Sequence, residues 1–156
     1  MAIDKGDVVD DFELLDQDGV PRRLGALLAD GPVVLFFYPA AMSRGCTVEA
    51  CSFRDLAAEF RAAGAQRVGI SHDKPAKQKQ FAEANNFDYP LLSDPDGKVA
   101  AALGVKRKLP LGPLSTKRIT LVIDTDRRVL DVIHSELNMQ DHAARALETL
   151  AARKPS

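Results

Sequence analysis

Residues 32–38, PVVLFFY, are apolar at almost every position and rich in Val and Phe. A strand with one face in water alternates between apolar and polar residues. An unbroken apolar run marks a strand buried on both faces, and Pro32, with no N–H to give a ladder, can only open it. Such a strand has to be covered above and below, so this chain must build a sheet sandwiched between other layers.

The flanking sequence supplies those layers. Phe12, Leu14 and Leu15 precede the turn sequence Asp16-Gln17-Asp18-Gly19, and residues 20–24 return as a second short strand, which makes a small N-terminal β-hairpin. Residues 24–28 form about one helical turn. After the apolar run, a helix over residues 47 to about 63 carries Ala50, Phe53, Ala57 and Phe60 on one stripe and stops at Gly64. Residues 67–71 read as a second buried strand. The next helix opens with Asp73 as cap and Pro75 in the first turn, with Phe81, Ala82 and Phe87 as its apolar members. Leu91 and Leu92 form a short strand, and residues 99–103 a short helix ended by Gly104. Residues 105–116, VKRKLPLGPLST, show neither period and read as a loop. Residues 119–123 and 129–133 form a hairpin, and the last helix, residues 139–152, buries Ala143, Ala146, Leu147 and Leu150.

This order is hairpin, βαβαβα, hairpin, α. Alternating strands and helices imply right-handed crossovers and a largely parallel sheet, with the closing hairpin adding antiparallel edges. The fold class is therefore α/β, a thioredoxin-like three-layer sandwich with an N-terminal β-hairpin extension. A length of 156 residues suits one domain spanning residues 1–156.

Both cysteines fall just beyond the apolar run, where working groups collect in open α/β sheets. Gly45 delivers Cys46 to the first turn of the helix. There the unpaired N–H groups and the positive end of the helix dipole favour a thiolate. Cys46 continues the inward stripe, whereas Cys51 shares a face with Arg54, Asp55 and Ala58, so the first thiol should look inward and the second toward the surface. On regular helix the two Cα atoms are about 8.5 Å apart. A disulfide needs less than about 7 Å, so bonding the pair requires local unwinding. There is no C-x-x-C, which argues against dithiol exchange at a fixed site. A peroxide-like electrophile or a metal remains. Attack on an O–O bond gives a sulfenic acid that a second thiol can trap, and it calls for hydrogen-bond donors around a sulfur open to hydroperoxide. Ser43, the backbone N–H groups of residues 45 and 46 and a guanidinium are the candidates.

Other classes fit less well. Zinc on Cys46, Cys51 and some of His72, His134 and His142 would use loose spacing and scattered histidines, which read better as surface or turn residues. The net charge of -1 gives no general attraction for nucleic acid or an anionic membrane. The basic group around Lys106, Arg107, Lys108, Lys117 and Arg118 brackets leucines and prolines rather than aromatics. The opening residues have no signal-peptide core, and no run is long enough to span a bilayer. These features place the protein in the cytoplasm, where two thiols so close in sequence are a poor structural staple.

The motif Phe37-Tyr38-Pro39, then Gly45-Cys46-Thr47, Glu49, Ala50-Cys51 and Phe53-Arg54-Asp55 resembles the peroxiredoxins, most closely the bacterioferritin comigratory protein or peroxiredoxin Q branch. The likeness runs along nearly the whole chain, through Gly69-Ile70-Ser71, Asp73, residues 91–94, Gly104-Val105 and Arg118. It implies a thiol-dependent peroxidase acting on hydrogen peroxide and organic hydroperoxides, with no metal or organic cofactor. Cys46 would be the peroxidatic and Cys51 the resolving cysteine. Pro39 would shield the thiolate from water, Ser43 would hydrogen-bond the peroxide, Arg118 would bind its oxygens, and Glu49 would orient that arginine. The implied partners are a hydroperoxide and a thioredoxin-like reductant, with the chain a monomer or weak homodimer. Two positions depart from the family: Ser43 stands where threonine is usual and Arg44 where proline is usual. They keep open a second reading, a redox-sensing or interaction protein switched by the same disulfide with negligible turnover.

Overall fold

The computed structural model describes residues 2–105, 117–135 and 138–153. The 105–116 loop read from the sequence therefore lies, except for Val105, outside the described residues. The N-terminal hairpin pairs β1 (Glu13–Leu15) with β2 (Pro21–Arg23) and leads into α1 (Leu24–Leu28). The apolar run becomes β3 (Val33–Phe37), followed by α2 (Arg44–Asp55), α3 (Ala57–Ala62) and β4 (Gln66–Ser71). Then come α4 (Pro75–Asn85), β5 (Leu91–Ser93), α5 (Lys98–Ala102), β6 (Ile119–Ile123), β7 (Val129–His134) and α6 (Asp141–Ala152).

The strands form one sheet in the order β2-β1-β5-β4-β3-β6-β7. β3 and β5 lie parallel to β4, and the remaining pairings are antiparallel. The closing hairpin departs from expectation. Its first strand, β6, is an interior strand, bonded to β3 on one side and β7 on the other, and every residue of it is buried. Only β7 is an edge there, and β2 of the N-terminal hairpin is the other edge.

β3 is buried on both faces, as its composition demands. Val33, Leu35 and Phe37 join a core with α1 and α5, while Val34, Phe36 and Tyr38 join a second core with α2, α3, α4 and α6. In the second core Phe36 stacks on Phe53 with ring centroids 4.3 Å apart, and the edge of Tyr89 meets Phe36 at 5.7 Å. α2 is thereby seated on β3 through its inward stripe of Cys46, Ala50 and Phe53.

Several helix boundaries differ from the sequence reading: α4 ends at Asn85, before Phe87, and α6 starts at Asp141 rather than residue 139. The single helix expected over residues 47–63 starts earlier, at Arg44, and is interrupted at Leu56 (φ -100, ψ 25). Just before the break, Arg67 Nη1 donates to the Phe53 carbonyl at 2.9 Å, an acceptor interaction that a sequence period does not reveal. Asp73 does not cap α4. The N-cap is Lys74, without a side-chain cap bond, because the Asp73 carboxylate is taken by the backbone N–H of Ala41 and the hydroxyl of Ser71. The Phe53 seat should carry a large share of the stability: Phe53→Ala is expected to lower the unfolding free energy by about 3–5 kcal/mol in denaturant titration, and a loss below about 1 kcal/mol would contradict this packing.

Candidate active site

β3 gives way to a loop where proline ends the ladder. Tyr38 N still donates to Ile70 O at 3.1 Å, but Pro39 has no N–H, and residues 39–43 turn the chain into α2. Ser43 is the N-cap in extended conformation (φ -72, ψ 155), which makes Cys46 the third residue of the helix. The Ser43 carbonyl accepts from Thr47 N at 2.9 Å and Thr47 Oγ1 at 2.7 Å, fixing this first turn.

Cys46 faces inward as the stripe requires, and it is more enclosed than expected. It is 1% exposed and packs with Tyr38, Ala41 and Ala50, so the expected open niche is a closed one in this structure. The enclosure is not purely hydrocarbon. Arg118, immediately before β6, places Nη1 3.4 Å from Cys46 Sγ and 2.8 Å from Glu49 Oε2. Cys46 and Glu49 are three residues apart and share one helix face, which is why one guanidinium reaches both. Arg118 is 6% exposed and Glu49 0%. Burial works against the Arg118 charge, but its interactions with Glu49 and Cys46 outweigh that and hold its pKa above the usual range.

Gly45 gives this cation its space. A Cβ at Gly45 would lie 3.1 Å from Arg118 Nη2 and 3.2 Å from Met139 Cε. Any larger side chain would have to push the guanidinium or the thioether aside. The other guanidinium candidates are elsewhere: Arg54 bonds Asp55 and the Asn85 carbonyl, and Arg44 is exposed.

Pro39 is buried in the loop ahead of the helix, and the hydroxyl of Ser43 donates to Ala40 O at 2.8 Å. Cys51 lies on the outer side of α2, half-buried, with Sγ 3.7 Å from Asn85 Oδ1. Burial pushes its thiol pKa up, Arg54 pulls it down and Asp55 raises it, with a net upward shift. Both cysteines are free, on an unbroken helix. Cys46, Glu49 and Arg118 are thus brought together, Pro39 and Ser43 flank them in the loop, and Cys51 stands apart.

The AhpC/TSA family model matches residues 5–132, most of the chain. The chain belongs to this family. It is a peroxiredoxin, similar along its length to the crystal structure of peroxidoxin BcpB from Mycobacterium tuberculosis, with 62% identity, a TM-score of 0.93, and 98% of this chain and 99% of that one covered. It is 39% identical over 150 residues to chloroplastic peroxiredoxin Q of Arabidopsis thaliana, covering 96% of this chain and 68% of the relative. A structure of the Xanthomonas campestris bacterioferritin comigratory protein, described for alkyl peroxide reduction, superposes with a TM-score of 0.84 at 27% identity, covering 97% of this chain and 98% of that one. The branch indicated by the cysteine motif and the thioredoxin-like fold are both confirmed.

The sequence reading missed two residues close to this peroxiredoxin's Arg118 strand and helix α2. Met139 was placed only as a helix start, yet its methyl group borders Gly45. His142 was read as a surface or turn residue and is 0% exposed. Its Nε2 lies 2.9 Å from Ser135 O, which can only accept, so Nε2 carries the proton. Nδ1 then accepts from Thr120 Oγ1 at 2.8 Å. Among the described residues no group of three His, Cys, Asp or Glu side chains is arranged to hold a metal, and no helix is long and apolar enough to cross a membrane.

Burial lowers the His142 pKa below its ordinary 6.5; the Ser135 carbonyl opposes this and the Arg118 charge adds to it. As pH falls through about 6.5 the unfolded chain takes up this proton before the folded one, so stability declines toward the lower folded value. Chemical denaturation from pH 7.5 to 5 should show this loss, and His142→Gln should flatten it; an equal slope in both proteins would contradict the assignment.

Proposed function

We propose that this peroxiredoxin reduces hydrogen peroxide and organic hydroperoxides, with Cys46 as the attacking thiolate and Cys51 as the resolving thiol, in the cytoplasm. The observation that carries the reading is Arg118 Nη1 at 3.4 Å from Cys46 Sγ while it is also paired with Glu49. Two opposite unit charges at that spacing attract by about 5 kcal/mol at an effective dielectric of about 20, enough to matter against the cost of burying them.

The sulfur electron pair attacks the nearer peroxide oxygen and breaks the O–O bond. Cys46 becomes a sulfenic acid, and the departing oxygen leaves as hydroxide or alkoxide and takes a proton to give water or an alcohol. Negative charge moves from sulfur to oxygen in this step. A guanidinium already beside the sulfur, held by Glu49, follows that charge without rearranging. Ser43 supplies a further donor by turning its hydroxyl from Ala40 O to the peroxide, and Pro39 limits water at the sulfur. Because Cys46 is 1% exposed, the enclosure around the sulfur has to open before hydroperoxide reaches it.

Resolution couples chemistry to shape. Cys51 attacks the sulfenic sulfur, expels water and forms the disulfide, for which α2 has to unwind between the two positions. Its raised pKa keeps it a thiol at neutral pH and a weak competitor for peroxide. A thioredoxin-like dithiol then donates two electrons and two protons, restoring both thiols and becoming a disulfide itself.

With a thioredoxin system present, Cys46→Ser should abolish peroxide consumption, and retained turnover would overturn the reading. Cys51→Ser should oxidise once at Cys46 and then fail to recycle through thioredoxin; full recycling would place resolution on another group.

A further inference from the structure

The loop that carries Pro39 and Ser43 is held by a set of hydrogen bonds that the proposed chemistry does not use. β3 has β6 on one edge and β4 on the other. Arg118 approaches the sulfur from the β6 side. On the β4 side, Ser71 ends the strand and Asp73 follows it. Asp73 Oδ2 accepts from Ala41 N at 2.6 Å and from Ser71 Oγ at 2.8 Å. Ser71 Oγ accepts from Gln78 Nε2 at 3.0 Å, and the same Nε2 donates to Leu92 O at 2.7 Å. Gln78 Oε1 accepts the hydroxyl of Tyr38. Gln78 and Tyr38 are 0% exposed and Ser71 is 2% exposed.

This network grasps the loop at two points. Tyr38 is tied through its side chain just before Pro39, and Ala41 through its backbone N–H just after Ala40. Between them lie Pro39 and Ala40, and Ala40 O is the acceptor that orients the Ser43 hydroxyl. The loop needs such a hold because Met42 sits at φ 70, a left-handed conformation unfavourable for a side chain with no polar group to offer the backbone. A buried network whose polar atoms satisfy one another resists distortion. Its far ends are anchored in β5 and α4, not in the mobile part of the reaction. The Tyr38 hydroxyl stays a donor throughout, since burial, with the charges of Asp73 and Cys46 nearby, keeps its pKa well above the ordinary value.

We propose that Asp73 is a positioning residue of the peroxide site: braced by Ser71, Gln78 and Tyr38, its carboxylate fixes residues 39–43 so that hydroperoxide meets the Cys46 sulfur in line. The proposal rests on the peroxidase reading above. Asp73 touches neither sulfur nor substrate in this account, and its influence passes through the Ala41 N–H.

The test uses the full chain with Cys51→Ser, so that Cys46 reports alone, and compares its rates with hydrogen peroxide and with iodoacetamide. Alkylation needs the thiolate but no oxygen-binding loop, so the ratio of the two rates isolates positioning. Asp73→Ala should lower the peroxide rate about tenfold while the alkylation rate stays within about twofold. Asp73→Asn, which keeps an oxygen for the Ala41 N–H, should recover most of the loss. Unchanged rates, a parallel fall in both, or an Asn variant no better than Ala would overturn the brace. If Asp73→Ala does not fold, Ser71→Ala decides: the ratio should fall about threefold, and an unchanged ratio would overturn the proposal. A parent protein no faster toward peroxide than free cysteine would overturn the peroxidase reading and the brace together, whereas a fast parent unaffected by Asp73→Ala would overturn the brace alone.

Discussion

A guanidinium buried against a sulfur and a carboxylate is the arrangement on which the rest of this molecule depends. An unpaired cation in such a place would cost several kcal/mol, and Glu49 and Cys46 meet Arg118 there from a single helix face. That requirement reaches far into the fold. It places β6 directly beside β3, so that the residue opening β6 arrives where the loop after β3 enters α2. It also makes a side chain at Gly45 crowd the guanidinium and the Met139 methyl, which already occupy the space.

In the proposed cycle the same helix has to serve two conflicting purposes. To hold Cys46 against Arg118, α2 must be regular and firmly seated, and the Phe36–Phe53 stack, the Tyr89 hydroxyl on Ala50 O and the Arg67 guanidinium on Phe53 O all contribute to that. To let Cys51 reach Cys46, the same turns must come apart. Under that proposal each of these contacts favours the first oxidation and opposes the disulfide. The Arg67 bond also lies next to the interruption at Leu56, so the helix that the proposed cycle would unwind is short and ends close to Cys51.

Much of this could be read from residues alone. The doubly buried strand, the alternation of strands and helices and the position of Cys46 beyond a strand end are local patterns, and they fixed the layers and the place of the sulfur. The pairing of β6 with β3 could not be read that way, since residues 119–123 and 129–133 form a hairpin whichever strand they border. Arg118 was singled out by resemblance to a family, because nothing in its neighbours distinguishes a charge that turns inward from one that faces water. His142 and Asp73 were misjudged for the same reason. A histidine near a helix start and an aspartate before a proline each have a common local role, and partners distant in sequence, Thr120 for one and Ala41 for the other, supplied a different one.

The central claim is that the buried cation–sulfur pair drives oxidation of Cys46 and that the helix then yields to its second thiol. It is tested most directly by rapid-quench intact-mass analysis of the reduced protein mixed with one equivalent of hydrogen peroxide, beside Arg118→Lys. The account predicts a loss of about 2 Da in the native chain, from two hydrogens, and a reaction slowed at least about tenfold by the substitution, since lysine cannot span sulfur, carboxylate and peroxide together. A native mass that does not change, or equal rates in the two proteins, would contradict it.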